Sequence, residues 1–102
     1  MSNTESIGEE GYILRLYITG ASLNSSRAVN NLKEICDTYL ENNYSLEIID
    51  IYQQPHLASD EQIVALPLLI KLFPLPVKKL IGNMSDTNKV LKGLELVNKD
   101  VL

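Results

Sequence analysis

VALPLLIKLFPLPVKKLIG, residues 64–82, is a mostly apolar run broken by Pro67, Pro74 and Pro76. Its apolar residues suit a helix or a strand, and prolines end either one. Two assignments fit. In the first, Gln54-Pro55 marks a turn, and Ser59 with Gln62 forms a capping box for a short helix to Leu66. Pro67 then opens a strand, LLIKLF (68–73), Pro74-Leu75-Pro76 is a turn, and VKKLIG is a partner strand. In the second, Pro76 is the first residue of a helix that places Val77, Leu80 and Ile81 at i, i+3 and i+4. LELV (94–97) then serves as a strand.

The residues before this run are read more simply. YILRLYITG (12–20) puts Leu14, Leu16 and Ile18 on one face and Ile13, Arg15 and Tyr17 on the other, which is a strand ended by Gly20. Asn24 and Ser25 are capping candidates for a helix with Ala28, Leu32, Ile35, Cys36, Tyr39 and Leu40 on its apolar face, stopping near Asn42-Asn43. YSLEIIDIY (44–52) is a second strand. Strand, helix and strand within about 40 residues is the size of a parallel βαβ unit. Combined with the first assignment and a last helix from Ser85 that buries Val90, Leu91, Leu94 and Val97, the order is βαβαββα, a thioredoxin-like topology.

Residues 1–10, MSNTESIGEE, are read as a flexible tail, polar and acidic and unlike a signal peptide, and residues 11–102 as a single domain. A chain of 102 residues with 45% hydrophobic and 22% charged content fits one globular α/β domain. Nine basic against thirteen acidic residues give a net charge of −4, which argues against a nucleic-acid partner. Lys71, Lys78, Lys79 and the prolines make the apolar run unfit to span a bilayer. A single cysteine, Cys36, suits a reducing cytoplasm and excludes an internal disulfide or a C-x-x-C pair.

No catalytic set is visible. His56 is the only histidine and follows a Gln-Pro turn, so neither a Cys–His nor a Ser–His–Asp arrangement can be completed. Cys36 falls on the apolar face of the first helix and reads as a small core residue. One cysteine and one histidine cannot hold a structural zinc within one chain, and GNMSD (82–86) lacks the lysine of a phosphate loop. No cofactor is expected.

Taken together and in order, LRLYITG, NSSRA, IIDIYQQPHLASDEQIVALPLL, PLPVKKLIGNMSD and KVLKGLEL resemble the circadian clock protein KaiB family over about residues 12–97. The resemblance implies a small non-enzymatic protein with a thioredoxin-related fold that lacks redox cysteines. It implies a resting homotetramer whose carboxy-terminal half is arranged ααβ, and a switched monomer in which that half is αββα. It also implies binding to a KaiC-like ATPase and modulation of its phosphorylation state. Arg15, Arg27, Lys78 and Lys79 are the basic positions carried over to partner contact. Pro67 begins the half that switches, and Gly93 and Glu95 match the glycine and acidic residue whose replacement biases the fold. Gly93 is expected in the middle of the last helix, where Gly93→Ala favours the thioredoxin-like arrangement.

The chain also departs from the family pattern. Glu47 stands where lysine is common, Gln62 replaces another lysine, ALPLL replaces ATPTL, and Asn83 stands for an aspartate. Because charge complementarity governs partner choice, Glu47 and Gln62 bear directly on KaiC binding. A stress-response regulator with the same fold and a changed partner is the alternative reading, and a thioredoxin-like redox enzyme ranks last. A homo-oligomer, expected as a tetramer, follows from the apolar run if LLIKLFPLP is exposed.

Overall fold

The alternation in residues 12–18 is realised as strand β1 (Tyr12–Ile18), followed by helix α1 (Leu23–Tyr39) and strand β2 (Tyr44–Asp50), which pairs with β1 in parallel. The computed structural model describes residues 11–20, 22–41, 43–56 and 66–96. The tail expected at residues 1–10, the short helix expected from Ser59 and Gln62, and Val97 lie outside these residues.

The start of α1 corrects the expected cap. Ser22, not Asn24 or Ser25, is the N-cap: its Oγ accepts the Ser25 N–H at 3.1 Å. Four capping residues crowd this segment, and packing chooses among them. Ser25 is buried and its Oγ accepts the Thr19 N–H at 3.1 Å, so it cannot stand outside the helix. The helix stops at Tyr39 rather than near Asn42-Asn43, because the Leu40 and Glu41 amides both return to the Cys36 carbonyl (2.8 and 3.2 Å).

After Pro67 the chain follows the hairpin assignment. Strand β3 (Leu68–Phe73) runs antiparallel to β1, strand β4 (Lys78–Ile81) runs antiparallel to β3, and helix α2 (Thr87–Gly93) follows. The sheet order is β2-β1-β3-β4. The helix from Pro76 and the strand at 94–97 are therefore not adopted: residues 78–81 are strand, and residues 94 and 95 form a turn. The reason is burial. Leu68, Leu69, Ile70 and Lys71 are all buried, because β3 is an inner strand covered on both faces. A helix from Pro76 would leave Ile70 and Lys71 without Lys79 and Lys78, the residues that pair them across β4.

Each of the three prolines in residues 64–82 stands where its missing N–H spares the ladder. Pro67 precedes β3, and Pro74 and Pro76 lie in the β3–β4 connection; all three follow cis peptide bonds. The Pro67 carbonyl accepts the Gly82 N–H at 3.0 Å, which closes the open end of the hairpin, and Gly82 reaches that position with φ +127, a conformation natural to glycine.

Helices α1 and α2 cover one face of the sheet, where Leu14, Leu16 and Leu69 pack with Ala28, Leu32, Ile35, Cys36, Val90, Leu91 and Leu94. On the other face Tyr17, Ile49, Leu68 and Ile70 form a second cluster with Ile51, Leu66 and Leu72. Since residues 68–71 are inside the single chain, the oligomer cannot be argued from an exposed LLIKLFPLP run; of that run Leu75 is exposed, and Val77 follows it.

Helix α2 starts after Asp86, whose side chain accepts the Lys89 N–H at 3.2 Å, rather than at Ser85. It ends in a Schellman pair: the Leu96 N–H reaches the Leu91 carbonyl (2.9 Å) and the Glu95 N–H reaches the Lys92 carbonyl (3.0 Å). Glu95 accordingly takes φ 64, the left-handed position usually given to glycine. Gly93 is the last helical residue, not a central one, and a Cβ there would fall 2.9 Å from Leu80 Cγ and 3.0 Å from Cδ2, with Cδ1 closer still. The unopposed gain expected for Gly93→Ala is thereby corrected: the helix gains, but Leu80 must move.

Candidate functional site

Redox chemistry is the first possibility this fold raises, and its position is identifiable. A dithiol pair works as C-x-x-C at a helix amino terminus, where the helix dipole lowers thiol pKa. In this chain the helix after β1 opens with Ser22-Leu23-Asn24-Ser25. The two hydroxyls are 2.9 Å apart and spend their hydrogen bonds on the Ser25 and Thr19 amides. They cap a helix and carry no redox couple. The S-x-x-S spacing directly after a strand was the available sequence signal for this pair.

Cys36 lies in the second half of α1, fully buried. Burial first, and then the Asp37 carboxylate, push its thiol up to about 12, so it stays protonated and unreactive at neutral pH. His56 is exposed, and among the described residues no group of three or more His, Cys, Asp or Glu side chains could hold a metal. No helix among the described residues is long and apolar enough to cross a membrane.

What the fold does assemble is a charged row on the sheet. The registers Glu47↔Arg15, Arg15↔Ile70 and Ile70↔Lys79 align four residues across β2, β1, β3 and β4. Directly opposite residues share a face, so Arg15 and Lys79 point the same way, two strand spacings or roughly 10 Å apart. Arg15 Nε donates to Glu47 Oε1 at 3.2 Å, and its Nη1 donates to the Tyr17 hydroxyl at 3.4 Å. The Tyr17 bond, with Glu47 adding to it, raises the Arg15 pKa against a smaller opposing effect of burial. Glu47 is therefore no lone acid: it neutralises Arg15, and among the described residues Lys79 is the cation of the row with no ion pair.

The other positions separate. Lys78 pairs with Lys71 across the hairpin and so faces opposite to Lys79; its ammonium is 4.0 Å from a Glu95 carboxylate oxygen. Arg27 is exposed in the first turns of α1, on the helical side of the sheet. The four basic residues thus do not form one patch. Arg15 and Lys79 are together, while Lys78 and Arg27 lie on the side carrying α1 and α2. Pro67, Gly93 and Glu95 cluster around β4: the first receives Gly82, the second abuts Leu80 and the third meets Lys78. Tyr12 joins that end of the molecule, donating to the Leu94 carbonyl at 3.1 Å. Burial, and then Glu95, raise the Tyr12 pKa.

Known proteins place this arrangement. The chain is 45% identical over 91 residues to the circadian clock oscillator protein KaiB of Prochlorococcus marinus subsp. pastoris, covering 89% of this chain and 85% of that one. It is 48% identical over 85 residues to the circadian clock protein KaiB3 of Synechocystis sp., covering 83% of each. In three dimensions it resembles the N-terminal domain of Synechococcus elongatus SasA, with a TM-score of 0.68 and 25% identity over 83% of this chain and 84% of that one. The thioredoxin Deadhead of Drosophila melanogaster shares the fold at a TM-score of 0.67 and 13% identity, over 91% of this chain and 86% of that one. The KaiB domain family model matches residues 15–96, and the chain belongs to the KaiB family.

Proposed function

We propose that this protein is a non-enzymatic KaiB-type clock and signalling protein that binds a KaiC-type ATPase and modulates its phosphorylation state. The observation that carries the reading is the pairing of the thioredoxin-like arrangement with Ser22 and Ser25 where a redox enzyme needs thiols. A fold kept without its chemistry is a fold kept for contact. Lys79, with the Arg15–Glu47 pair beside it, is the contact surface on the face opposite α1 and α2, and Lys78 and Arg27 act from the side of those two helices. Gln62 belongs to the same reading and lies outside the described residues.

The same reading includes a resting homo-oligomer, expected as a tetramer, in which the half after Pro67 packs differently, with Pro67, Gly93 and Glu95 setting the balance. Exposed Leu75, Val77 and Ile81 around β4 support an apolar contact there. Its place of action is the cytoplasm. A stress-response regulator with a changed partner is favoured by one observation, the Arg15–Glu47 ion pair, which removes positive charge from the row.

Binding of the purified chain to a KaiC-type ATPase, with the phosphorylation state of the ATPase read on gels, tests both. Lys79→Glu is expected to weaken binding roughly fivefold and Glu47→Lys to strengthen it by a similar factor, as for a charge at an interface rim. No binding by either wild type or Glu47→Lys refutes the clock reading and leaves the changed-partner one.

A further inference from the structure

The apolar run of residues 64–82 contains one cation placed deep inside. Lys71 is 1% exposed, on inner strand β3, between Leu14 of β1 and Lys78 of β4. Its ammonium donates to two main-chain carbonyls of the β3–β4 connection, those of Pro74 and, at 2.9 Å, Pro76. An ammonium is expensive to bury without such acceptors, so its place in this strand calls for a role.

We propose that Lys71 is a latch that selects the hairpin over the competing helix for residues 74–81, and thereby positions Lys78 and Lys79. Two features carry this. Pro74 and Pro76 have no N–H, so at these positions the connection cannot close on main-chain donors of its own. The ammonium, with three donors, supplies what they lack. The second feature is the acceptor itself. In a helix opened by Pro76, the Pro76 carbonyl receives the N–H of Leu80, four residues on. In the hairpin Leu80 lies opposite Leu69 on β3, and the Pro76 carbonyl is held by Lys71 instead. The latch forms only when residues 74–76 fold back over β3, so its bonds belong to one of the two arrangements. Only the consequence for Lys78 and Lys79 rests on the proposed partner contact; the latch stands apart from it.

Amide hydrogen exchange followed by NMR tests the latch on Lys71→Met, which keeps the stem and removes the donors, beside Lys78→Met as the control for loss of charge. Lys71→Met is expected to speed exchange at Lys78–Ile81 roughly tenfold or more relative to β1, in line with losing hydrogen bonds from a charged donor. Lys78→Met is expected to leave that ratio unchanged. Unchanged protection of β4, or loosening of the whole sheet to the same degree, overturns the proposal. If Lys71→Met does not fold, the wild-type ammonium decides. A protected signal with couplings across its hydrogen bonds to the Pro74 and Pro76 carbonyl carbons supports the latch, and a freely exchanging one overturns it. Neither readout uses the ATPase, so failure of ATPase binding with the latch intact refutes only the functional reading.

Discussion

Replacing Glu95 by glycine should stabilise the arrangement described above. Glu95 has φ 64 at the position after the α2 cap, where the Schellman bonds to Lys92 and Leu91 require a left-handed residue. For a residue with a Cβ that conformation costs roughly 1–2 kcal/mol, which glycine avoids. Against this stands the greater freedom of glycine in the unfolded chain, roughly 0.4–1 kcal/mol. The Lys78 contact adds little: at 4.0 Å between two side chains nearly half exposed, it is a weak surface pair. The net gain for Glu95→Gly is about 0.5–1 kcal/mol, or roughly 2–8 °C in melting temperature for a domain of this size. Urea and thermal unfolding should be compared for Glu95→Gly, Glu95→Asn, Glu95→Ala and wild type. The expected order is Gly first, Asn next, because asparagine tolerates this backbone, and Ala no better than wild type, because it removes the ion pair and keeps the strain. Glu95→Gly no more stable than Glu95→Ala would show that residue 95 is not left-handed in the folded protein, and the account of the α2 terminus would fail.

Two further predictions rest on the same packing. Gly93→Ala gains roughly 0.5–1 kcal/mol of helix propensity but forces Leu80 to move, an overpacking cost of roughly 1–3 kcal/mol. Unfolding should show a net loss, and a double-mutant cycle with Leu80→Ala a favourable coupling; additive effects would exclude the contact. For Cys36, the folded thiol is raised from its ordinary 9.0 to about 12, so the unfolded chain loses its proton first as pH rises. Stability contributed by the buried neutral thiol is complete below pH 9 and is lost as pH climbs toward about 12. Cys36→Ala should flatten that fall in a denaturation series, and an unchanged slope would contradict the buried, protonated thiol.

The first half of this protein is legible in its residues. Period-two alternation over 12–18, a helical stripe through Ala28, Leu32, Ile35 and Cys36, and the β-branched Ile48, Ile49 and Ile51 each admit one regular structure. The helix boundary was less so, because Ser22, Asn24, Ser25 and Ser26 are all capable caps and only the burial of Ser25 separates them. The family resemblance was also legible, since it rests on the order of phrases along the chain, and residues 15–96 match the KaiB domain.

Residues 74–81 were not legible, for a physical reason. Pro76 suits the first turn of a helix and a strand connection equally, and Val77, Leu80 and Ile81 make one apolar face of a helix or are shared between the two faces of a strand. The choice is made by groups distant along the chain: β1 presents an edge that Leu68–Phe73 fills, and β3 then presents one that Lys78–Ile81 fills. Lys71 as an internal donor, and Glu47 as the partner of Arg15, follow from that same register. Spacing along the sequence specifies which faces an element has. Which residues meet across the sheet depends on pairing, and pairing is fixed by what each strand buries on its two sides.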